Sequence, residues 1–277
     1  MEVHGRRMPQ PPSSEWPRYR DRQPDDFTRT DVNPYMVRHH NHGPPVLTAS
    51  QVYTFRDRWA ECFDRDAPLH VEIGSGNGLF LAELARRNPD WNILGIEIRY
   101  KRVEMCAEKL DKIGVTNARI ARYDAWYLDD LFRPGSLAGL YVNHPDPWPK
   151  TRHLKNRLIS RWFLEEASSY LKPGGWLRLK SDFEDNVDRV PRLLSSNGRD
   201  PMPLLPLKIT GRGDNIITGP APWPNDIETN YQSKYRKRGL PVYAIELRRS
   251  EGAYSPPPKW KFYDESLSAS ALADDPR

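Results

Sequence analysis

The sequence predicts an α/β fold, a mostly parallel sheet with helices on both faces. Two observations carry that expectation. Short apolar runs of strand length alternate with stretches of helical spacing between residues 69 and 195. The first such run, LHVEI (69–73), opens into the glycine-rich turn GSGNG (74–78) and then into LFLAELARR (79–87), which has helical spacing. Strand, glycine turn and helix in that order begin a βαβ unit, and repeated βαβ units build a parallel sheet.

The elements follow in order. Residues 1–45 are rich in Pro, Arg, Asp and His without a period of 2 or 3.6, and read as an extended or disordered basic arm. Ser50 is placed to cap a helix carrying Val52, Phe55, Trp59 and Phe63 on one face. After the first strand and helix, NILGIEI (92–98) is a strand, and YKRVEMCAEKLDKIG (100–114) is a helix stopped by Gly114. NARIAR (117–122) is a weaker strand and LAGLYVN (137–143) a stronger one. Residues 157–171 form a helix ended by KPGG, 174–182 a strand, and 183–195 a further helix. A Pro/Gly-rich loop occupies about 197–226, followed by TNYQSKYRKRG and a last strand, 240–248. Residues 46–250 are thus the folded domain, and 251–277 a fraying tail.

Composition narrows the function classes. At 38% hydrophobic with 27 prolines, 277 residues fit a folded core with polar ends. The net charge of +5 is mild, so the placement of bases matters more than their number. Two cysteines, Cys62 and Cys106, make neither a disulfide framework nor a zinc site and read as packing residues in a reducing, cytoplasmic setting. No apolar run approaches a membrane span, and the first residues lack the apolar core of a secretory signal.

The glycine turn carries an unusual neighbour. A dinucleotide site needs GxGxxG, so that pyrophosphate meets the helix N-terminus. Here the spacing is GxGxG, and Glu72 lies in the strand just before it. A carboxylate there opposes pyrophosphate and suits a cationic or amine-bearing ligand. Glu97 ends the second strand, where an acid can hold both hydroxyls of a ribose. Together they suit S-adenosylmethionine, a nucleoside with an amino group and a sulfonium but no phosphate. Asp124 follows the third strand, placed either to reach an adenine amino group or to cap a helix.

The fourth strand delivers HPDPWPK (144–150) to the same end of the sheet. Its prolines restrict the backbone around Asp146. Trp148 offers a flat face for a base. Lys150, Arg152, His153, Lys155 and Arg157 form a basic run suited to phosphates. A second basic cluster, Lys234, Arg236, Lys237 and Arg238, follows TNYQ and suits either RNA backbone or a solvated helix end.

PDPWPKxRHxKxRL in this loop, EIGSGNG at the first strand, GIEIR at the second and TNYxxKYxxxG near the end closely resemble the tRNA (guanine-N7)-methyltransferase family over about residues 45–250. The resemblance implies a Rossmann-like class I methyltransferase with a seven-stranded, mostly parallel sheet. It implies methyl transfer from S-adenosylmethionine to N7 of guanine 46 in the tRNA variable loop. By matching motif, Glu72, Gly74, Glu97 and Asp124 are similar to cofactor contacts. Asp146 matches the catalytic or cofactor-proximal acid. Lys150, Asp182, Thr229, Asn230, Tyr231 and Gln232 match the substrate-binding set, with Tyr231 either stacking on guanine or packing under the last strand. The family's range implies a monomer or homodimer in preference to a form with a β-propeller partner subunit.

Three departures stand out. His144 replaces the usual Phe, Gln232 replaces the usual Glu, and the N-terminal arm is long. The first two leave open an alternative: a tRNA-binding subunit, or a class I methyltransferase with altered substrate or lost activity. A nicotinamide dehydrogenase is disfavoured by the GxGxG spacing and by Glu72.

Overall fold

The computed structural model describes residues 33–56, 58–150, 156–195 and 205–252, and the backbone of residues 2–3 and 6–7. The alternation read from the sequence becomes one eight-stranded sheet. Its strands are β1 (Val46–Leu47), β2 (Leu69–Ile73), β3 (Asn92–Glu97), β4 (Ala118–Arg122), β5 (Leu137–Asn143), β6 (Leu171–Ser181), β7 (Leu207–Gly213) and β8 (Tyr243–Arg249). Their order across the sheet is β1-β4-β3-β2-β5-β6-β8-β7. The first six run parallel; β8 is antiparallel to both β6 and β7.

The helices are α1 (Pro34–Asn41), α2 (Ala49–Thr54), α3 (Trp59–Cys62), α4 (Leu79–Arg87), α5 (Tyr100–Ile113), α6 (Arg161–Tyr170), α7 (Asp185–Leu194) and α8 (Asn230–Arg238), with a 3-10 turn at Ala125–Asp130. Central strands β2 and β3 are buried at every position, because helices cover both faces. Val71, Ile73, Leu94, Ile96, Leu140 and Val142 face a core shared with α2, α3, α6 and α7. Ile93, Ile120 and Tyr141 face α4 and α5. Cys62 and Cys106 are free and buried, as packing residues.

Several details differ from the sequence reading, among them four with a clear local reason. The sheet has eight strands, not seven, because Val46–Leu47 adds a two-residue parallel pairing to β4. Strand β7 lies inside the span read as a loop. It is an edge strand with two glycines, and Lys208, Ile209 and Thr210 are exposed, so it carries no alternating signal. The first cap is Thr48, not Ser50: its hydroxyl accepts from Gln51 N–H while the Gln51 side chain accepts from the Thr48 N–H. The described end of the expected arm is not extended. Asn33 accepts from Tyr35 N–H at 3.0 Å, Pro34 starts the helix, and Met36 and His39 of α1 are buried. His39 meets Tyr100 of α5 edge-on at 5.3 Å. Residues 8–32 and the tail from 253 lie outside the described residues.

The order in which strands are added reverses at β2, with β3 on one side and β5 on the other. Ligands of open parallel sheets bind at this switch point, beyond the carboxyl ends of the strands.

Candidate active site

At the carboxyl end of β2 the chain turns through Gly74, Gly76 and Gly78, all with φ between 57° and 76°. Residues with side chains are strained there, so glycine is required. Gly78 also packs directly on α5: a Cβ would lie 2.7 Å from Cys106 Cα. Gly74, in contrast, faces open space, and a Cβ on it would meet nothing within 4 Å.

Glu72 is 1% exposed. Its Oε1 accepts from Asn143 Nδ2 at 3.0 Å, while Oε2 is buried and receives no hydrogen bond among the described residues. Burial lifts the carboxyl to about 7, against lesser opposing effects of the Asn143 bond and of the nearby Ser75 hydroxyl. Asn143 ends β5 and leads into HPDPWPK, so one side chain joins the glycine-turn strand to the proline loop.

Glu97 serves both its own turn and the glycine loop. Its Oε1 accepts from the N–H groups of Ile98 (2.9 Å) and Arg99 (3.0 Å), and Oε2 accepts from Gly76 N–H at 3.0 Å. A carboxylate has about four acceptor positions, so Oε2 keeps one for a ligand hydroxyl. Ile98, beside it, is 45% exposed and offers an apolar surface that the sequence reading did not single out. Asp124 caps the 3-10 turn, accepting from Trp126 N–H at 3.0 Å. Tyr123 N–H donates to Glu97 O at 3.1 Å, which sets Asp124 at the same end of the sheet as Glu97.

The proline loop leaves β5 with two residues in left-handed backbone, His144 (φ 51°) and Trp148 (φ 41°). Asp146 and Lys150 are exposed at its surface. Arg157, expected in the phosphate-binding run, is instead buried at 4% exposure. Its Nε donates to Trp148 O at 3.2 Å and its guanidinium pairs with Asp185 of α7. It therefore holds the loop in place. Arg152, His153 and Lys155 lie outside the described residues.

A third group lies where β6 ends and α8 begins. Asp182 Oδ1 is 3.2 Å from His144 Nδ1, and Oδ2 accepts from Tyr235 O–H at 2.5 Å. Burial alone would raise this carboxyl, and the bonds from His144 and Tyr235 more than reverse it, so it lies below its usual range. Thr229 caps α8 by accepting from Gln232 N–H at 2.9 Å, and its hydroxyl is 2.9 Å from His144 Nε2. The Tyr231 ring stacks on His144 at 5.3 Å and is 53% exposed, so it faces outward and does not pack beneath the last strand. Asn230 is half-buried beside it.

Gln232 lies beneath this surface, 3% exposed. Its amide oxygen accepts from Lys180 Nζ at 3.0 Å. Lys180, 1% exposed, also donates to Ile227 O at 2.7 Å and pairs with Asp226 at 2.6 Å. All three ammonium protons are thus used, and Asp226 supplies the carboxylate that position 232 lacks. Burial still lowers the Lys180 pKa, against the pull of Asp226. On α8, Arg236 pairs with Glu228 at 3.2 Å, and Lys237 and Arg238 are exposed in the last turn.

The sheet thus brings together two clusters of the expected residues: Glu72, Gly74, Glu97 and Asp124 around the glycine turn, and Asp182, Thr229, Asn230 and Tyr231 around His144. Asn143 and the Asp146 loop lie between them. Asn143 and Lys180 were not singled out by the sequence reading. A polar residue closing β5 and a lysine in the apolar run that ends β6 are the signals that mark them.

A family model described as a putative methyltransferase matches residues 66–200. Several relatives span most of the chain. A tRNA (guanine-N(7)-)-methyltransferase of Listeria monocytogenes serovar 1/2a is 31% identical over 204 residues, covering 74% of this chain and 91% of the relative. Proteins of the same name from Halalkalibacterium halodurans and Geobacillus kaustophilus are 33% and 34% identical, covering 74% and 71% of this chain and 88% and 86% of theirs.

Proposed function

This chain belongs to the tRNA (guanine-N(7)-)-methyltransferase family, and on that premise we propose that the cleft above β2 and β5 transfers a methyl group from S-adenosylmethionine to N7 of guanine 46 in the variable loop of tRNA. The observation that carries this reading is the Asn143 bridge. It joins the buried acid of the glycine turn to the loop that bears Asp146.

The glycine-turn cluster fits the cofactor. The buried carboxyl of Glu72, with acceptor capacity to spare on Oε2, suits a cationic, amine-bearing ligand, Gly74 leaves open space for it, and Glu97 Oε2 retains an acceptor position for a ribose hydroxyl. Asp124 adds an acceptor for an adenine amino group. When bound, S-adenosylmethionine supplies an electrophilic sulfonium methyl group.

The protein's own task is then alignment and charge placement. Guanine N7 carries a free lone pair, so no base is needed to deprotonate it. N7-methylated guanine is cationic, and carboxylates preset near it lower the barrier. Asp146 and Asp182 are the acids at the mouth of the cleft. The bonds from His144 and Tyr235 favour ionised Asp182. Tyr231 presents an exposed ring for a base to stack on. N7 lies in the deep major groove of an RNA helix, so the target must come from an irregular region, as a variable loop is. Lys150 and the last turn of α8 supply cations for phosphates.

The test is direct. Purified protein is incubated with methyl-labelled S-adenosylmethionine and unmodified tRNA, and the product is mapped by cleavage at N7-methylguanine. A single label at guanine 46 is the expected result. Cofactor and tRNA binding without label, or label at another base, would refute the assignment.

A further inference from the structure

We infer that His144 is a positioning residue for methyl transfer: one imidazole fixes Asp182 and the start of α8 relative to the Asp146 loop. The inference takes its reaction from the function proposed above and its geometry from the site alone.

The His144 backbone N–H donates to Lys180 O at 2.8 Å, continuing the β5–β6 pairing. Its φ of 51° then turns the residue out of the strand path. The side chain is 3% exposed, and both nitrogens are engaged, Nδ1 with Asp182 Oδ1 and Nε2 with Thr229 Oγ1. The proton order follows from the partners. An ionised carboxylate can only accept, so the ring nitrogen facing Asp182 is the donor, and Thr229 Oγ1, which accepts from Gln232 N–H, pairs with Nε2. Nδ1 then carries the ring proton and donates to the carboxylate, whose other oxygen is held by Tyr235 O–H. The imidazole also supports the exposed Tyr231 ring by stacking. Three segments distant in sequence, the ends of β5 and β6 and the cap of α8, therefore meet at one side chain. A phenyl ring would keep the stack and lose both hydrogen bonds. His144 has no proton to take from guanine N7, so its contribution is the orientation of Asp182 and Tyr231.

The test compares the full-length protein with His144→Phe and His144→Asn. Asn places its amide nitrogen where Nδ1 stands but removes the ring. In His144→Phe, kcat on tRNA should fall about tenfold, as expected when an acid beside the reacting base loses its fixed orientation. S-adenosylhomocysteine affinity, read by titration, should stay within twofold and thermal stability should hold. In His144→Asn, thermal stability should fall while turnover exceeds that of His144→Phe. Activity and stability thus rank the variants oppositely. Unchanged turnover in His144→Phe, or turnover that follows melting temperature, would overturn the inference. Methylation of guanine N7 by the unaltered protein tests the underlying reaction separately. Nitrogen–proton NMR of the histidine rings adds a readout independent of activity. The resonances lost in His144→Phe should show a proton on Nδ1 held in a hydrogen bond, and an Nδ1 without a proton would refute the proposal.

Discussion

Glu72 should make the protein less stable as pH rises, and Glu72→Gln should remove that dependence. Its carboxyl stands at about 7 in the folded chain against a reference of 4.5, because it is buried. Between those values the folded chain holds a proton that the unfolded chain has released. Stability therefore falls as pH rises through the window, is fully restored only below about 4.5, and levels off above about 7. At 1.36 kcal/mol per pKa unit the loss from pH 5 to pH 8 is about 2 to 3 kcal/mol. Gln keeps the shape and an acceptor for Asn143 but cannot ionise. Urea unfolding of both proteins without cofactor, at pH 5 and pH 8, isolates the contribution, because every other titrating group is shared. The Gln variant should gain about 2 to 3 kcal/mol on the parent between the two pH values. It should also bind S-adenosylmethionine more weakly, having lost the charge that meets a cation. A stability difference that is constant from pH 5 to pH 8 would refute the reasoning, since folding would then leave Glu72 free to ionise.

Three further outcomes are expected. Asp146→Ala should lower kcat on tRNA on the order of a hundredfold, with urea stability within about 0.5 kcal/mol of the parent because the side chain is exposed; steady-state kinetics beside unfolding curves checks both. Lys150→Ala should weaken tRNA binding and flatten the slope of log affinity against log salt by about 0.7 to 0.9, measured by filter binding over a salt series. Gly78→Ala should cost about 2 to 4 kcal/mol in urea unfolding, combining left-handed backbone strain with overpacking, since its Cβ would meet the α5 backbone at Cys106.

Much of the arrangement around the glycine turn is legible in the sequence, for a physical reason. LHVEI, the glycine turn and GIEIR are contiguous segments whose placement follows from local backbone geometry and strand direction. The arrangement around His144 is less so. His144 and Gln232 read as departures because a sequence carries no distances. In the fold, His144 lies between Asp182 and Thr229, and Asp226 meets the buried Lys180 that Gln232 also contacts. Arg157 looks like one more base in a run, and only the return of α7 brings Asp185 onto it. Strand β7 and helix α1 are missed for a related reason. An exposed edge strand and an eight-residue helix with two buried residues have too little periodicity to rise above their neighbours.

The strand order has a consequence for how the molecule is made. β8, last among the described strands in the chain, is an interior strand, seated between β6 and β7. Among the described residues β7 pairs only with β8, so it has no place in the sheet until Tyr243–Arg249 has left the ribosome. The βα units around the glycine turn join neighbours in sequence and can consolidate during synthesis. The Asp182–Thr229 side closes through contacts of high sequence separation, which form slowly. Any break in translation before Tyr243 thus leaves a half-built sheet with β6 as an open, aggregation-prone edge, and the loss is two strands rather than one.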